Sequence, residues 1–320
     1  MTETVKCILC TNKETTLFDN YKLSIKGDEQ YFGKMKIYKC ESCDLGFCDP
    51  MPNDNNLNLF YENIYRSKGR PHEINYKNMI NDLYSLKNLS YIQYLTTFID
   101  FNKIKKVFDF GSGIGNIGFL LKKKFNHIEL FSSENDQFCK EVLKNREYKN
   151  YENLNLINER FDLIISAHSL EHMKDLNIIN LFKKISNNKS HLFIEVPNCP
   201  TDNYINRPYD SPHLMFFTKK SFFEIEKRFN YDIINLSYSS YSIDKSFKYM
   251  KESRNKYKNW TFLNKIEITI KNIIRLFLPK IITDVRSYLS EKKTNKLDYF
   301  TLNKEDSSSL RCLFKIKDNN

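Results

Sequence analysis

Short apolar runs alternate with amphipathic stretches through the middle of the chain, between residues 104 and 239. The apolar runs have strand length and end at turn-forming residues, and the stretches between them carry apolar positions at helical spacing. The predicted strands are KKVFDFG, IELFSSE, FDLIISA, SHLFIEV and YDIINLSYS, with a shorter one near YKNYE. The predicted helices are NIGFLLKKKF, NDQFCKEVLKN and LNIINLFKKIS. This alternation predicts an α/β fold with a mostly parallel sheet and helices on both faces.

The pattern changes on both sides of this core. The segment after CDPMPNDNN has apolar residues three and four apart and is predicted to be helical, as is most of the chain after residue 240. The last apolar run, SLRCLFKIK, predicts a final strand. These changes divide the chain into five parts: 1–52, 53–103, 104–239, 240–308 and 309–320.

Composition narrows the class of protein. The chain has 320 residues, 41% of them hydrophobic, and a formal net charge of +11. The lysines are spread along the chain, which favours an ordinary solvated surface over a nucleic-acid-binding patch, although a basic chain also suits acidic partners. No secretory signal or membrane-spanning apolar run is visible, and we expect a cytoplasmic protein with reduced thiols.

Five of the eight cysteines lie in the first fifty residues. Four of them form two pairs, Cys7 with Cys10 in CILC and Cys40 with Cys43 in CESC. Two such pairs supply the four sulfur ligands of a structural Zn²⁺ site. We interpret Cys48, which has no partner in this pattern, as a buried packing residue.

The stretch VFDFGSGIGN predicts a strand that enters a glycine-rich turn. Gly113, Gly115 and Gly118 match the dinucleotide-binding spacing G-x-G-x-x-G, which is a weak signal by itself. Asp109 stands ahead of the first glycine, where an acid would face the pyrophosphate of a dinucleotide unfavourably. An acid there suits the cationic methionyl group of S-adenosylmethionine (SAM). The predicted cofactor-binding residues of this loop are Asp109, Gly111, Ser112, Gly113 and Gly115.

The next predicted strand ends in LFSSEND. We expect Glu134 to bind the ribose hydroxyls of the cofactor, with Asn135 beside it. The alternative is that Glu134 and Asp136 only cap the helix that follows. A ribose is common to SAM and the dinucleotides, so this acid does not distinguish them.

Two later motifs carry a resemblance to a known family. Leu-Glu-His follows the predicted strand FDLIISA, and Val-Pro-Asn follows SHLFIE. Together with the glycine loop they resemble the class I SAM-dependent methyltransferases. The cysteine pairs and LFYENIY are similar to zinc-binding members of that class, several of which are sugar C-methyltransferases. The resemblance covers residues 1 to about 240 and the last strand, and implies a seven-stranded Rossmann-like domain with an N-terminal zinc module and a helical insertion before the last strand.

The resemblance also implies site residues. His213 matches the loop histidine that resembles the general base of the sugar enzymes, but Pro212 stands where C-methylating members usually have Glu, which leaves O- and C-methylation open. His172 is a second catalytic candidate, with a structural role at the start of its helix as the alternative. His168 is expected to contact the cofactor through its backbone. Tyr65 and its neighbour Tyr61 are expected to fold over the cofactor, or to pack as an aromatic helix face.

The predicted function is methyl transfer from SAM to a sugar or sugar-like small molecule, with no nucleic-acid partner. A zinc-ribbon RNA methyltransferase and a non-catalytic SAM-binding scaffold are the alternatives. The basic amphipathic stretch 262–282 either packs on the protein, or on a second subunit, or contacts a membrane surface.

Overall fold

A seven-stranded sheet forms the centre of the molecule in the computed structural model, which describes residues 5–74, 83–200, 213–242 and 305–317. Its strands are β4 (Lys106–Phe110), β5 (Glu129–Ser133), β6 (Tyr148–Asn150), β7 (Phe161–Ala167), β8 (Ser186–Pro197), β10 (Tyr231–Ser242) and β11 (Ser307–Ile316). They lie in the order β10-β11-β8-β7-β4-β5-β6. Strands β4 to β8 pair in parallel, and β11 runs antiparallel to both of its neighbours. The predicted mostly parallel sheet is confirmed.

Helices cover both faces of this sheet. On one face α3 (Leu86–Phe98), α4 (Asn116–Lys124) and α5 (Gln137–Asn145) pack against Val107, Leu163 and Phe193. On the other face α6 (Asn177–Lys184) and α7 (Lys219–Phe229) pack against Phe108, Ile164 and Leu192. Because successive strand residues point to opposite faces and both faces are covered, these strands read as continuous apolar runs in the sequence.

A second sheet at the N-terminus is antiparallel. It contains β1 (Thr15–Asn20), β2 (Lys36–Cys40), β3 (Gly46–Asp49) and β9 (Met215–Phe216), in that order. One residue, Leu214, separates His213 from strand β9, and β9 pairs with β3. One strand of this sheet thus comes from a distant segment of the chain, and the boundary at residue 52 stays a prediction.

Three short helical elements accompany the N-terminal sheet, one between β1 and β2 and two after β3. They are α1 (Glu29–Phe32), α2 (Asp54–Leu59) and a π-helical turn at Phe60–Ile64. Asn53 caps α2 by accepting a hydrogen bond from the backbone N–H of Asn56. The turn after Ile64 then leads toward the glycine loop of the large sheet.

Several predictions fall outside the described residues. They include part of the helix predicted around residues 75–82, most of the insertion 240–308 and the whole basic stretch 262–282. Within the described ranges, no helix is long and apolar enough to cross a membrane.

Candidate functional site

The glycine loop joins β4 to α4 at the carboxyl edge of the sheet. Gly111, Gly113 and Gly115 all have positive φ, at 62°, 55° and 69°. A Cβ on Gly111 would lie 2.3 Å from Ser169 Oγ, so the backbone there has no room for a side chain. The loop is therefore a left-handed turn with backbone but no side chain on its surface, at the switch point between β5 and β7.

Asp109 is a buried acid at the end of β4, with 3% of its surface exposed. Burial, together with the charge of Glu134, raises the pKa of its carboxyl to about 8. No described hydrogen bond offsets that burial. A carboxyl in this state is suited to a cationic ligand group, since a nearby positive charge favours its ionised form.

Glu134 follows β5 and is held by three backbone amides. Its Oε2 accepts a hydrogen bond from Gly113 N–H at 2.7 Å, and its Oε1 accepts from Asn135 and Asp136 N–H, each at 3.0 Å. The helix cap itself is Asp136, whose Oδ1 accepts from Cys139 N–H at 2.9 Å. Glu134 thus links the glycine loop to the residues just before α5. Of the two acids considered as helix caps, Asp136 is the one that caps α5.

His168 lies between two buried carboxylates just after β7. Its Nε2 is 2.9 Å from Glu195 Oε1 and its Nδ1 is 3.3 Å from Glu171 Oε1. Burial and Lys87 lower the pKa of His168, but hydrogen bonds to Glu171 and Glu195 outweigh them and raise it. Its backbone N–H donates to Glu195 O at 2.8 Å. The backbone N–H of His168 is therefore already used, and the predicted backbone contact to a cofactor would have to be made by the His168 carbonyl.

His172 and His213 lie side by side, with ring centroids 4.9 Å apart. Tyr61 Oη and His172 Nδ1 are 3.0 Å apart, and His172 Nε2 is 3.9 Å from Glu171 Oε1. Ligand atoms of Glu171, His172 and His213 lie within 4.8 Å of one another, so this group could also hold a metal ion. The three elements that meet here are the Leu-Glu-His turn, the segment before β9 and the π-helical turn.

Aromatic rings enclose this histidine pair on the N-terminal side. The Tyr65 ring centroid lies 5.3 Å from that of Tyr61 and 4.8 Å from that of His72. Phe60, which is fully buried, packs against both tyrosines. Tyr61 and Tyr65 thus belong to a packed aromatic face, and this packing also places both tyrosines beside His172.

The four paired cysteines come together in the N-terminal sheet. Cys7 Sγ lies 3.5 Å from Cys43 Sγ, and Cys10 Sγ lies 3.4 Å from Cys40 Sγ. All four sulfurs lie within 4.8 Å of one another and could hold one metal ion. A hydrogen bond from the Cys43 thiol lowers the pKa of Cys7, whereas burial raises the pKa of Cys10, so the four thiols are electrostatically coupled.

Comparison with known proteins identifies the activity. Residues 85–236 match the family described as "Methyltransferase domain". The chain is a SAM-dependent methyltransferase. Among curated proteins, none matches the chain.

Solved structures similar to the methyltransferase have low sequence identity. One is Haemonchus contortus phosphoethanolamine N-methyltransferase 2 in complex with SAM, at 11% identity and a TM-score of 0.49, covering 95% of this chain and 69% of that chain. Another is coclaurine N-methyltransferase bound to N-methylheliamine and SAH, at 15% identity and a TM-score of 0.47, covering 71% and 72% of the two chains.

The residues of the methyltransferase fit the cofactor at the glycine loop. A left-handed glycine turn, the buried acid Asp109 and the fixed carboxylate of Glu134 lie together at the carboxyl edge of the sheet. Ser112 lies inside this loop, where its backbone carbonyl accepts from Gly115 N–H at 2.9 Å, and exposed Asn135 adjoins Glu134. These predicted cofactor residues are brought together by the fold, and their individual roles stay predictions.

The sequence analysis did not identify Glu171 and Glu195, the two acids beside the histidines, or Arg311, which pairs with Glu195. Glu195 Oε1 accepts a hydrogen bond from Tyr91 Oη at 2.5 Å, and its Oε2 is paired with the Arg311 guanidinium. Glu171 belongs to the Leu-Glu-His motif and Glu195 immediately precedes Val-Pro-Asn, so both acids lie in or beside motifs that the sequence analysis uses. For Glu195 the signal that would have identified it is a charged residue at a position that the strand pattern marks as buried, whereas Glu171 lies in a turn outside any strand.

Proposed function

We propose that this methyltransferase acts on a sugar or sugar-like small molecule, with His213 as the general base. The observation that carries the proposal is the histidine pair, His172 and His213, in an aromatic enclosure next to the glycine loop. Sugars offer hydroxyl groups and acidified C–H groups, both of which need a base when they accept a methyl group. Aromatic side chains also pack well against the apolar faces of a sugar ring.

In this proposal SAM supplies the electrophilic methyl group, on its sulfonium. Asp109 and Glu134 hold the cofactor at the carboxyl edge of the sheet, and the glycine loop lets the backbone approach it. His213 takes the proton from the acceptor hydroxyl or C–H, and a histidine titrates in the pH range where this transfer works best. Tyr61 fixes the ring of His172 through the hydrogen bond to Nδ1, next to the base.

We also infer that the four cysteines bind a structural Zn²⁺. Four thiolates close the coordination shell and leave no position for a substrate. The N-terminal sheet is joined to the site, because Cys48 N–H donates to Leu214 O at 2.9 Å and β3 pairs with β9. The zinc module would therefore position His213 and not take part in the chemistry.

The experiment that tests the acceptor class uses the purified protein with isotopically labelled SAM. A panel of nucleotide sugars, a panel of simple amines and an RNA pool are incubated in parallel, and the products are read by mass spectrometry. We expect a mass increase of one methyl group on a nucleotide sugar. Transfer only to amines or RNA would show that the sugar assignment is wrong, and the RNA result would support the alternative function.

A further inference from the structure

A cavity lies at the edge of the large sheet opposite to the glycine loop, with a volume of about 860 Å³. Its wall is formed by the chain just before β7, the end of α6, the start of β8 and the end of β11. Because β11 runs antiparallel to β8, its carboxyl end meets the amino ends of the parallel strands here. We call this the basal cavity. A full strand length separates it from the residues assigned to methyl transfer.

The side chains around the basal cavity are mostly cations and neutral hydrogen-bond donors. Its four cations are Arg160, Lys183, Lys184 and Lys317. The other lining residues are asparagines and a serine of α6 and β8, with one isoleucine, and no carboxylate of the described chain is among them. Small-molecule sites typically have volumes of about 300–1,000 Å³. A polar cavity of this size with charges of one sign is suited to an anionic small molecule.

Two of the four cations have partners in the protein, and two do not. Lys183 Nζ donates to a backbone carbonyl at the end of α7 at 3.4 Å, and Lys317 Nζ is 2.7 Å from Asp232 Oδ1. Among the described residues, the side chains of Arg160 and Lys184 form no hydrogen bond or ion pair. The pair of Lys317 with Asp232 is largely exposed, so it contributes little to the fold and can rearrange around a ligand.

The helix dipole explains only part of this positive charge. Lysines in the last turn of a helix are stabilised by its terminal carbonyls, and Lys183 and Lys184 occupy that turn of α6. Arg160 precedes β7 and Lys317 follows β11, so the end of α6 does not account for either of them. The basal cavity therefore collects cations from three separate elements.

A bulge in β8 adds neutral donors to the wall. Asp162 alone stands between two paired residues of β7, whereas residues 187–190 stand between their partners on β8. Asn187 and Asn188 of this bulge line the cavity. The Asn187 amide donates to Asp162 at 2.8 Å, and the Asn188 side chain has no hydrogen bond among the described residues. An uncharged amide beside cations can orient an anionic group without adding charge.

A planar guanidinium, lysine ammonium groups and amide donors together form a set that is suited to phosphate groups. Because the cations come from three elements, they can contact more than one phosphate at once. We propose that the basal cavity binds a small molecule with two or more linked phosphate groups, at a site separate from methyl transfer. This chemistry is common to nucleoside triphosphates and inorganic triphosphate. The proposal depends neither on SAM nor on the sugar acceptor.

The test is calorimetry with inorganic triphosphate, a nucleoside triphosphate and orthophosphate as probes, in magnesium-free buffer with saturating SAM. A salt concentration of about 0.15 M screens long-range charge effects. We expect the wild-type protein to bind inorganic triphosphate about 10- to 100-fold more tightly than orthophosphate. The double variant Arg160→Gln, Lys184→Gln should lose about tenfold or more of the affinity for triphosphate. Equal affinities for the two triphosphates would support recognition of the phosphates alone, and tighter binding of the nucleoside form would support a nucleotide ligand.

The matched control is Lys26→Gln, Lys34→Gln, which removes two positive charges from exposed positions on either side of α1. It should leave the triphosphate affinity unchanged. Because Arg160 and Lys184 are exposed, their double variant should keep the wild-type unfolding temperature and SAM affinity.

Three results would overturn the proposal. The first is a wild-type protein that does not prefer triphosphate over orthophosphate. The second is an equal loss of affinity in both double variants, which would mean that only the overall charge matters. The third is wild-type binding of triphosphate by Arg160→Gln, Lys184→Gln, which would place the phosphates outside the basal cavity.

Discussion

At the scale of single residues, Asp109 is predicted to make SAM binding depend on pH. Its pKa of about 8 in the free protein lies far above that of an ordinary aspartate, so the carboxyl is protonated at neutral pH. A bound cation favours the ionised form, and binding of SAM must then release a proton. Linkage predicts that the SAM association constant rises by up to about tenfold per pH unit from about pH 6 to about pH 8, then levels off.

The measurement is calorimetry across this pH range in two buffers of different ionisation enthalpy, which counts the released protons. Asp109→Asn should bind more weakly at the upper end and should lose the pH slope. Glu129→Gln, a change at an exposed position at the far end of β5, is the control. A slope that persists in Asp109→Asn would assign the proton to another group.

His213 is predicted to act in the chemical step and not in cofactor binding. Replacing it with alanine should lower kcat for methyl transfer by about 10²- to 10⁴-fold, the usual loss for a general base. The affinity for SAM should stay near the wild-type value, because the glycine loop and Glu134 are untouched. Single-turnover kinetics and SAM titration on the same preparation separate these effects.

His172→Gln provides the comparison for His213. It retains a polar group beside Tyr61 and should reduce kcat less than His213→Ala does. The opposite ranking would make His172 the base. Metal analysis belongs to the same experiment, because a second bound ion lost in both variants would mean that the histidines are ligands and not bases.

At the scale of elements, the sequence predicts strands and helices of the core well and misses the short strand β9. Strands buried on both faces leave long apolar runs, as in FDLIISA, which periodicity and length detect. Strand β9 contains two residues and exists because Gly46 and Phe47 pair with it. A Cβ on Gly46 would lie 2.9 Å from Phe216 Cβ, and this close approach is a property of the folded chain alone.

If the four cysteines hold zinc as proposed, this pairing predicts that the metal helps to position the loop of His213. Cys43→Ser removes one of four sulfurs and should lower both zinc content and the temperature of unfolding. Because β9 follows His213, kcat should fall by more than SAM affinity does. Zinc content, thermal unfolding and SAM titration are the measurements.

The matched control for the zinc module is Cys312→Ala, which removes a buried thiol on β11 outside the cluster. It should keep the zinc and the ratio of kcat to SAM affinity. If Cys43→Ser retains zinc or loses kcat and SAM affinity in parallel, the module has no specific link to His213.

At the scale of the whole molecule, a buried ionic row connects elements from both ends of the chain to the site. Arg311 on β11 pairs with Glu195 on β8, and Glu195 continues to His168. Arg311 also donates to Ser90 Oγ on α3 at 2.7 Å and lies over the Tyr91 ring. Sequence reasoning could not find this row, since the pairing joins positions 116 residues apart that no local pattern relates.

Breaking this row should cost stability, because each remaining charge would be buried without its partner. Burial raises the pKa of Glu195, but Arg311 and His168 outweigh it and hold the pKa below its usual value. A depressed pKa means that the carboxylate stabilises the fold above about pH 4.3 and that this contribution is lost as the pH falls further. Arg311→Met should therefore lower the free energy of unfolding by about 3–5 kcal/mol at neutral pH.

The double variant Glu195→Gln, Arg311→Met decides whether the charges act as a pair. If they do, its loss of stability should be smaller than the sum of the two single losses, because neither charge then remains unpaired. Urea unfolding at neutral pH and at acid pH gives the free energies. Additive losses would mean that Arg311 stabilises the fold through its packing on Tyr91 and Tyr94, and that the ionic row does not position His168.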